Sequence, residues 1–442
     1  MEHEIIVMLN ELDLAALRQT LDGMNTADIA EELKDFGEQD VVRVFRVLSK
    51  DKAAEVFAFL DHDVQKGIIE AITDREIANI VNELFLDDAV DFIEEMPANV
   101  VRRVLANVTP DTRELINLFL QYPEDSAGSV MTIEYIDLKS GMSASDAFAH
   151  IRANGPDKET IYTCYVIDKE RRLMGSVSVR TLFLSDKDDL IADIMDPDVI
   201  FAHTHDDRES LMNNFRTHGF MAMPVVDSER RLVGIVTFDD ALQVQEEEAT
   251  EDFEKMAAMS PSEEPYLKTG IFQMSKNRLP WLFLLNLSVF ITGAIVARYE
   301  NLLAVMPILV SFLPMLMDTS GDSGSQSSTL IIRGMALNDI KMSDFFATIW
   351  KETRVALFCG VVLSVANYFR IVIMGYDTGL ALVVSLALFS SLFFAKTIGA
   401  LLPFGAKAVK LDPAVMAVPI LTTIVDATTL VVYFNLAKVL LR

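Results

Sequence analysis

The stretch "PMLMDTSGDSGSQSSTLIIRG", residues 314–334, begins and ends as hydrophobic chain, but its middle carries Asp318, Asp322, Gln326 and a run of serines. Carboxylates, hydroxyls, an amide and backbone carbonyls are oxygen donors, which suit a hard cation. Magnesium in particular sheds its water reluctantly and is adequately held through its bound waters. Gly321 and Gly324 would permit backbone turns, so the stretch reads as a polar loop at membrane depth. Such backbone is tolerated only where it is buried in protein or faces water. The competing reading is a glycine-serine helix-packing interface.

A second group with chemical potential lies near the end of the chain. Asp426 is 13 residues from Pro413 and 12 from Lys438, which places it near the middle of an apolar segment. A lone carboxylate at that depth is costly and is functional by default. Thr422, Asp426, Thr429 and Tyr433 are spaced four, three and four, so they share one helical face and would line a polar path. The alternative is a hydrogen-bonded Asp that joins helices.

The elements that position these groups follow from hydropathy and charge. Of 442 residues, 51% are hydrophobic, and the formal net charge of −27 is unevenly spread. Residues 1–267 carry 24 Lys+Arg and 56 Asp+Glu, net −32, whereas 268–442 carry 14 and 9, net +5. The acidic part repels nucleic acid and anionic lipid and suits divalent cations, although a solvated acidic surface would have the same composition. A membrane span needs roughly 20 mostly apolar residues. Five are expected, starting near Trp281, Leu302, Ala347, Gly379 and Pro413. With the N-terminus inside, Arg333, Lys341, Lys351, Arg354, Lys407 and Lys410 fall in inner loops, which agrees with the positive-inside rule for a multi-pass protein of the cell membrane. The opening "MEHEIIVMLNELDL" has acids where a secretory leader would carry basic residues, so the acidic part is expected in the cytoplasm. Cys164 and Cys359 offer neither a disulfide framework nor a zinc site. The membrane half has no His, and neither Cys359 nor the serines have an adjacent base, so no enzymatic step is expected.

Residues 20–125 alternate short apolar-periodic segments with polar turns and predict an all-α helical solenoid. A duplication follows: "YVIDKERRLMGSVSVRTLF" and "PVVDSERRLVGIVTFDDAL" align so that Asp168, Arg172 and Gly175 recur as Asp227, Arg231 and Gly234. Each copy reads strand, turn, strand, helix, and the pair resembles tandem CBS domains, an α/β module that often binds adenosine nucleotides. In that module a Thr or Ser followed three residues later by Asp holds a ribose; Thr237 and Asp240 fit, whereas the first copy has Ser178 and Thr181. The next segment predicts an amphipathic connecting helix with Leu242, Ala249, Phe253 and Met256 on its apolar face.

Taken together, "RLPWL" at 278–282, "GDSGSQSSTLIIRGMAL" at 321–337 and "LDPAVMAVPILTTIVDATTLVVYF" at 411–434 resemble the MgtE family of magnesium transporters, as does the order of parts. The resemblance implies a helical N domain at 1–126, CBS domains at 127–190 and 191–245, a connecting "plug" helix and linker at 246–275, and a five-span pore domain at 276–442. It further implies a homodimer in the lipid bilayer, with a pore along the dimer axis where Asp426 of each subunit holds hydrated magnesium. Thr422, Thr429, Gly321, Asp322, Gly324 and Gln326 would line that pore. Cytosolic magnesium would close it by binding at Glu55, Asp87, Asp91, Asp207, Asp240, Glu248, Glu251 and Asp252, and ATP at the CBS pair is a further ligand to test. The chain departs from the family pattern at Ser320, Gly321 and Asp322, where Gly-Gly-Asn is common, at Val418, and at Gln243 and Gly219, where some relatives carry acids. Two other readings stay open: a transporter preferring another divalent cation such as cobalt, and a membrane-anchored nucleotide-sensing CBS protein.

Overall fold

The computed structural model describes residues 2–10, 13–34, 36–262, 266–267, 269–416 and 419–441. Val418 lies outside them. The chain divides into two units, Met1–Gln245 and Glu246–Arg442, each described by itself.

The first unit opens with ten helices of eight to ten residues: α1 Glu2–Asn10, α2 Leu14–Gly23, α3 Thr26–Leu33, α4 Glu38–Phe45, α5 Lys50–Ala58, α6 His62–Ala71, α7 Asp74–Val81, α8 Leu86–Glu94, α9 Ala98–Asn107 and α10 Pro110–Phe119. Their boundaries are set locally. Asp13 and Asn25 accept hydrogen bonds from the first turns of α2 and α3, Thr73 and Glu76 form a reciprocal capping box on α7, and Pro110 stands at the first position of α10. Helices this short are marginal alone, so packing must hold them. It runs between alternate helices: α3 on α5, α5 on α7, α7 on α9, and α4 on α6. At the centre Phe57 meets Phe45 and Phe92 edge to face, with ring centroids 6.1 and 5.1 Å away. Truncating a side chain such as Phe57 to Ala would cost about 3–5 kcal/mol.

The duplication appears as two three-stranded sheets of the same order. In the first, β1 (Asp137–Lys139) is parallel to β2 (Thr163–Ile167), which pairs antiparallel with β3 (Leu173–Ser178). In the second, β4 (Ala202–His203), β5 (Ala222–Val226) and β6 (Leu232–Thr237) repeat that arrangement. The matched residues explain the matched hairpins. Asp168 Oδ1 accepts the backbone N–H of Glu170 and Arg172, and Asp227 Oδ1 accepts those of Glu229 and Arg231. These bonds hold Arg171 and Arg230 at φ of 65° and 64°. A Cβ on Gly175 would come within 2.8 Å of the Asp196 carbonyl, and one on Gly234 within 2.8 Å of the Thr132 carbonyl. Each copy's lead-in strand therefore pairs with the other copy: Thr132 with Ile235, and Asp196 with Ser176. Helices α11 (Ala144–Asn154), α12 (Val179–Leu184), α13 (Ile191–Ile194) and α14 (Arg208–His218) complete the pair. Gly219 ends α14 at φ +66°, a left-handed cap that strains any residue with a side chain.

Helix α15 (Phe238–Met256) is longer at its start than the expected connector, and its expected apolar face is not the buried one. Ala241 and Val244 are buried, whereas Leu242 and Phe253 are 46% and 72% exposed. Sequence spacing alone places these side chains on a helix face; which face is covered depends on tertiary packing.

In the second unit α16 (Ile271–Arg298), α19 (Phe345–Ile373), α20 (Thr378–Ala408) and α21 (Pro419–Leu440) each contain a segment long and apolar enough to cross a membrane. The second expected span, starting near Leu302, is not among these four, so five such helices are not found among the described residues. Pro307 interrupts the apolar run, so a short helix, α17 (Glu300–Val305), and a 3-10 segment at Pro307–Phe312 precede α18 (Leu313–Ala336). The last span likewise begins at Pro419, after a 3-10 turn at Ala414–Met416, rather than at Pro413. Helix α20 is central, packing on α18, α19 and α21. Exposed Phe283, Leu287 and Phe290 on α16 make an apolar surface suited to hydrocarbon.

Candidate functional site

The stretch expected to be a polar loop is helix throughout: α18 runs without a break from Leu313 to Ala336. Ser320 bonds back within the helix, donating to the Leu316 carbonyl at 2.7 Å, whereas Ser327 donates to Glu352 of α19 at 2.6 Å. The glycines serve close approach instead of turning. A Cβ on Gly399 of α20 would lie 2.3 Å from the Gly324 carbonyl oxygen, so the two backbones touch there.

Two helices carry the polar groups. On α18, Asp318, Asp322 and Gln326 are exposed at successive i, i+4 positions, while Ser320, Ser323, Gly324, Ser327 and Ser328 are buried. On α21, Asp426 is half-buried about 10 Å from the first residue, by a rise of 1.5 Å per residue. Asp318 lies within electrostatic reach of it. Gly321 faces Thr422, 3.9 Å from where its Cβ would stand. The stripe on α21 is split: Thr429 is 1% exposed and shares a 2.9 Å hydrogen bond with Ser320, and the Tyr433 hydroxyl donates to the Leu309 carbonyl at 3.0 Å. Those two join helices, whereas Thr422 and Asp426 keep some exposure.

The first unit gathers a different set of carboxylates. Asp87 and Asp88 occupy the first turn of α8, and Asp239 and Asp240 the first turn of α15, where helix dipoles favour negative charge. Glu134 and Glu159 act on the same place. Burial first, and then Asp240, hold the Asp87 carboxyl well above its ordinary range; the same causes raise Asp88 to about 7. Burial and the charges of Asp88, Asp240 and Asp239 raise Glu159 to about 8. Glu159 Oε2 is buried without a hydrogen-bond partner. Burial and mutual repulsion thus disfavour ionisation throughout this group. Among the described residues no three His, Cys, Asp or Glu side chains stand close enough to hold a metal ion directly.

Of the other expected residues, Glu55 and Asp91 are exposed, and Asp207 caps α14 beside an open cleft lined by Tyr122, Glu124, Ser126 and His205. Thr237 Oγ1 donates to Asp239 and Asp240, so the expected ribose-binding pair caps α15. In the second unit Lys255 bonds both Glu251 and Asp412, the latter at 2.7 Å. Burial and Asp412 raise the Asp252 carboxyl. Glu248 is half-buried on the same helix, and Gln243 is exposed.

Sequence reasoning missed Asp88, Asp239, Glu134, Glu159, Lys255 and Asp412, which converge from distant segments. It also missed Lys396, 5% exposed in the middle of α20, though a cation deep inside an apolar helix, unlike Lys407 in its last turn, was a readable signal.

Comparison with known proteins agrees with this architecture. A family model described as a divalent cation transporter matches residues 313–436, an intracellular N domain of the same family matches 24–125, and a CBS domain matches 191–247. The chain is 36% identical to the magnesium transporter MgtE of Thermus thermophilus, with all of both chains covered. It is 29% identical to that of Bacillus subtilis, covering 98% of this chain and 96% of that one. A solved cytosolic domain of the Mg2+ channel MgtE in complex with ATP matches at 34% identity and a TM-score of 0.53, covering 55% of this chain and all of that one. The soluble part of a magnesium transporter matches at 27% identity and a TM-score of 0.54, covering 56% and 98%. A helical N-terminal region, a CBS pair and a bundle of membrane-length helices thus occur here in the order of those relatives, and the chain belongs to the MgtE family of magnesium transporters.

Proposed function

We propose that this chain conducts magnesium across the cell membrane along a path lined by α18 and α21, with Asp426 as the principal ion-facing carboxylate. The observation that carries the reading is the half-buried Asp426 with Asp318 in electrostatic reach, beside the exposed Asp322 and Gln326. These donors are oxygen-bearing and too sparse to strip an ion of its water, which suits hydrated magnesium as the cargo. Helix α18 counts as a fifth crossing by its 24 residues, although its serines and acids lower its hydropathy. Asp426 carboxylates from two copies of the chain would balance one divalent charge, which favours a homodimer. The positive charge of the expected inner loops supports a cytoplasmic acidic unit, in which the alternate packing of short helices supports the reading of a solenoid.

The same unit gates the path. Its carboxylates at Asp87, Asp88, Asp240 and Glu159 repel one another when empty and are drawn together by a divalent ion, so cytosolic magnesium favours the compact state. Asp207, Glu248, Glu251, Asp252, Glu55 and Asp91 belong to the same acidic field. ATP at the CBS pair is a reading supported by the relative solved with that nucleotide; Thr237 would have to release Asp240 to take part. Magnesium flux into liposomes holding purified protein tests the reading. Asp426→Ala, still folded and inserted, is expected to lose flux; undiminished flux would remove Asp426 from the path.

A further inference from the structure

Behind the exposed face of α18 lies a chain of three polar side chains, each from a different helix: buried Lys396 and Ser327, and half-buried Glu352. Lys396 Nζ of α20 donates to Ser327 Oγ of α18 at 3.3 Å and to the Ser323 carbonyl at 3.4 Å. Ser327 Oγ in turn donates to Glu352 Oε2 of α19 at 2.6 Å. Cation, hydroxyl and carboxylate are arranged in the polarity that satisfies all three, and the hydroxyl sits where a direct ion pair would otherwise form. Lys396 lies roughly 18 Å from the nearer end of α20 and is 5% exposed, so its amine is closed off from solvent by the surrounding helices. One turn further along α20, Gly399 touches the Gly324 backbone, so α18 is fixed at adjacent levels by a close contact and by a charge.

Close packing of glycines fixes separation but tolerates rotation, because a glycine face has no side chain to interlock. The charge chain supplies the missing constraint. Lys396 of α20 holds the Ser327 hydroxyl and the Ser323 carbonyl, and this sets the facing of Asp318, Asp322 and Gln326 on another side of the same helix. We propose that Lys396 is a positioning residue that fixes the rotation of α18, and so the facing of its ion-path side chains, through Ser327 and Glu352. The proposal rests on the reading of α18 as a lining helix.

The test separates rotation from flux. In full-length protein with Cys164 and Cys359 replaced by Ser, single cysteines are placed at Ser325 or Gln326 and their rates of reaction with a water-soluble thiol reagent are compared, alongside magnesium flux in liposomes. With Lys396 present the cysteine at 326 reacts faster than that at 325. In Lys396→Met/Glu352→Gln, which removes both charges and leaves no unpaired ion, the ratio collapses toward one and flux falls with it. Ser327→Ala breaks the chain with the smallest change and is expected to shift the ratio in the same direction even where the double variant does not fold. An unchanged ratio in Ser327→Ala, or a folded double variant with the parent's ratio and flux, overturns the proposal. Absence of flux in the parent would instead count against the proposed function, and the labelling ratio would still decide the role of Lys396.

Discussion

The two units treat buried charge in opposite ways. In the membrane-length bundle the buried cation Lys396 meets a hydroxyl and a carboxylate from neighbouring helices, and the account of charges closes within the chain. In the first unit Asp87, Asp88, Asp240 and Glu159 are crowded with no cation among their interacting charges, and one Glu159 oxygen has no partner. Buried charge with a built-in partner holds structure, whereas buried charge without one is stabilised only by a proton or a bound ion. In the connecting helix Lys255 pairs with both Glu251 and Asp412, so part of its acidic charge has a built-in partner.

The largest expected effect lies in the bundle. Gly399→Leu drives side-chain atoms into the Gly324 backbone and should destabilise the folded protein by about 1–3 kcal/mol or more, read as a lower unfolding temperature in detergent. An unaltered transition would mean that α18 and α20 are not locked there.

Next is the acidic cluster, where pH sharpens the contrast. Its carboxyls titrate higher when folded than when unfolded, so the folded state holds more protons between about pH 4 and about pH 8. Stability of the first unit is therefore expected to fall as pH rises through that window, and added magnesium should restore it at the alkaline end. Hydrogen exchange at α8 and α15 reads both, and Asp87→Asn/Asp240→Asn should flatten both responses. If exchange there is indifferent to magnesium at pH 8, the cluster is not the effector site. The smallest change is Lys255→Ala. Its partly exposed ion pairs are worth about 1 kcal/mol or less, so altered exchange confined to the end of α15 and the segment around Asp412 is the outcome to look for.

What could be read from the chain depended on how local the determinant was. The paired hairpins were legible because Asp168, Arg172 and Gly175 set one turn by themselves and recur intact as Asp227, Arg231 and Gly234. Asp426 stood out because carboxylates are rare in apolar segments. By contrast, the Gly-Ser run of α18 looked like a loop because its local propensities are poor. The helix is held by Gly324 against Gly399 and by Ser327 bonded to Lys396 and Glu352 of neighbouring helices, and these are tertiary facts. Thr429 looked like path lining because it shares a face with Asp426, yet Ser320 of another helix claims its hydroxyl. Glu134 and Glu159 were invisible as site residues, since only folding brings them to Asp87 and Asp240.

The central claim is that ions pass along the face that α21 presents at Asp426. Its most direct test is magnesium uptake by liposomes containing either the parent protein or folded Asp426→Ala, with low magnesium on the side of the acidic unit. The account predicts rapid uptake by the parent, loss of it in Asp426→Ala, and suppression of the parent when magnesium on that side is raised. Equal uptake by the two proteins would contradict it.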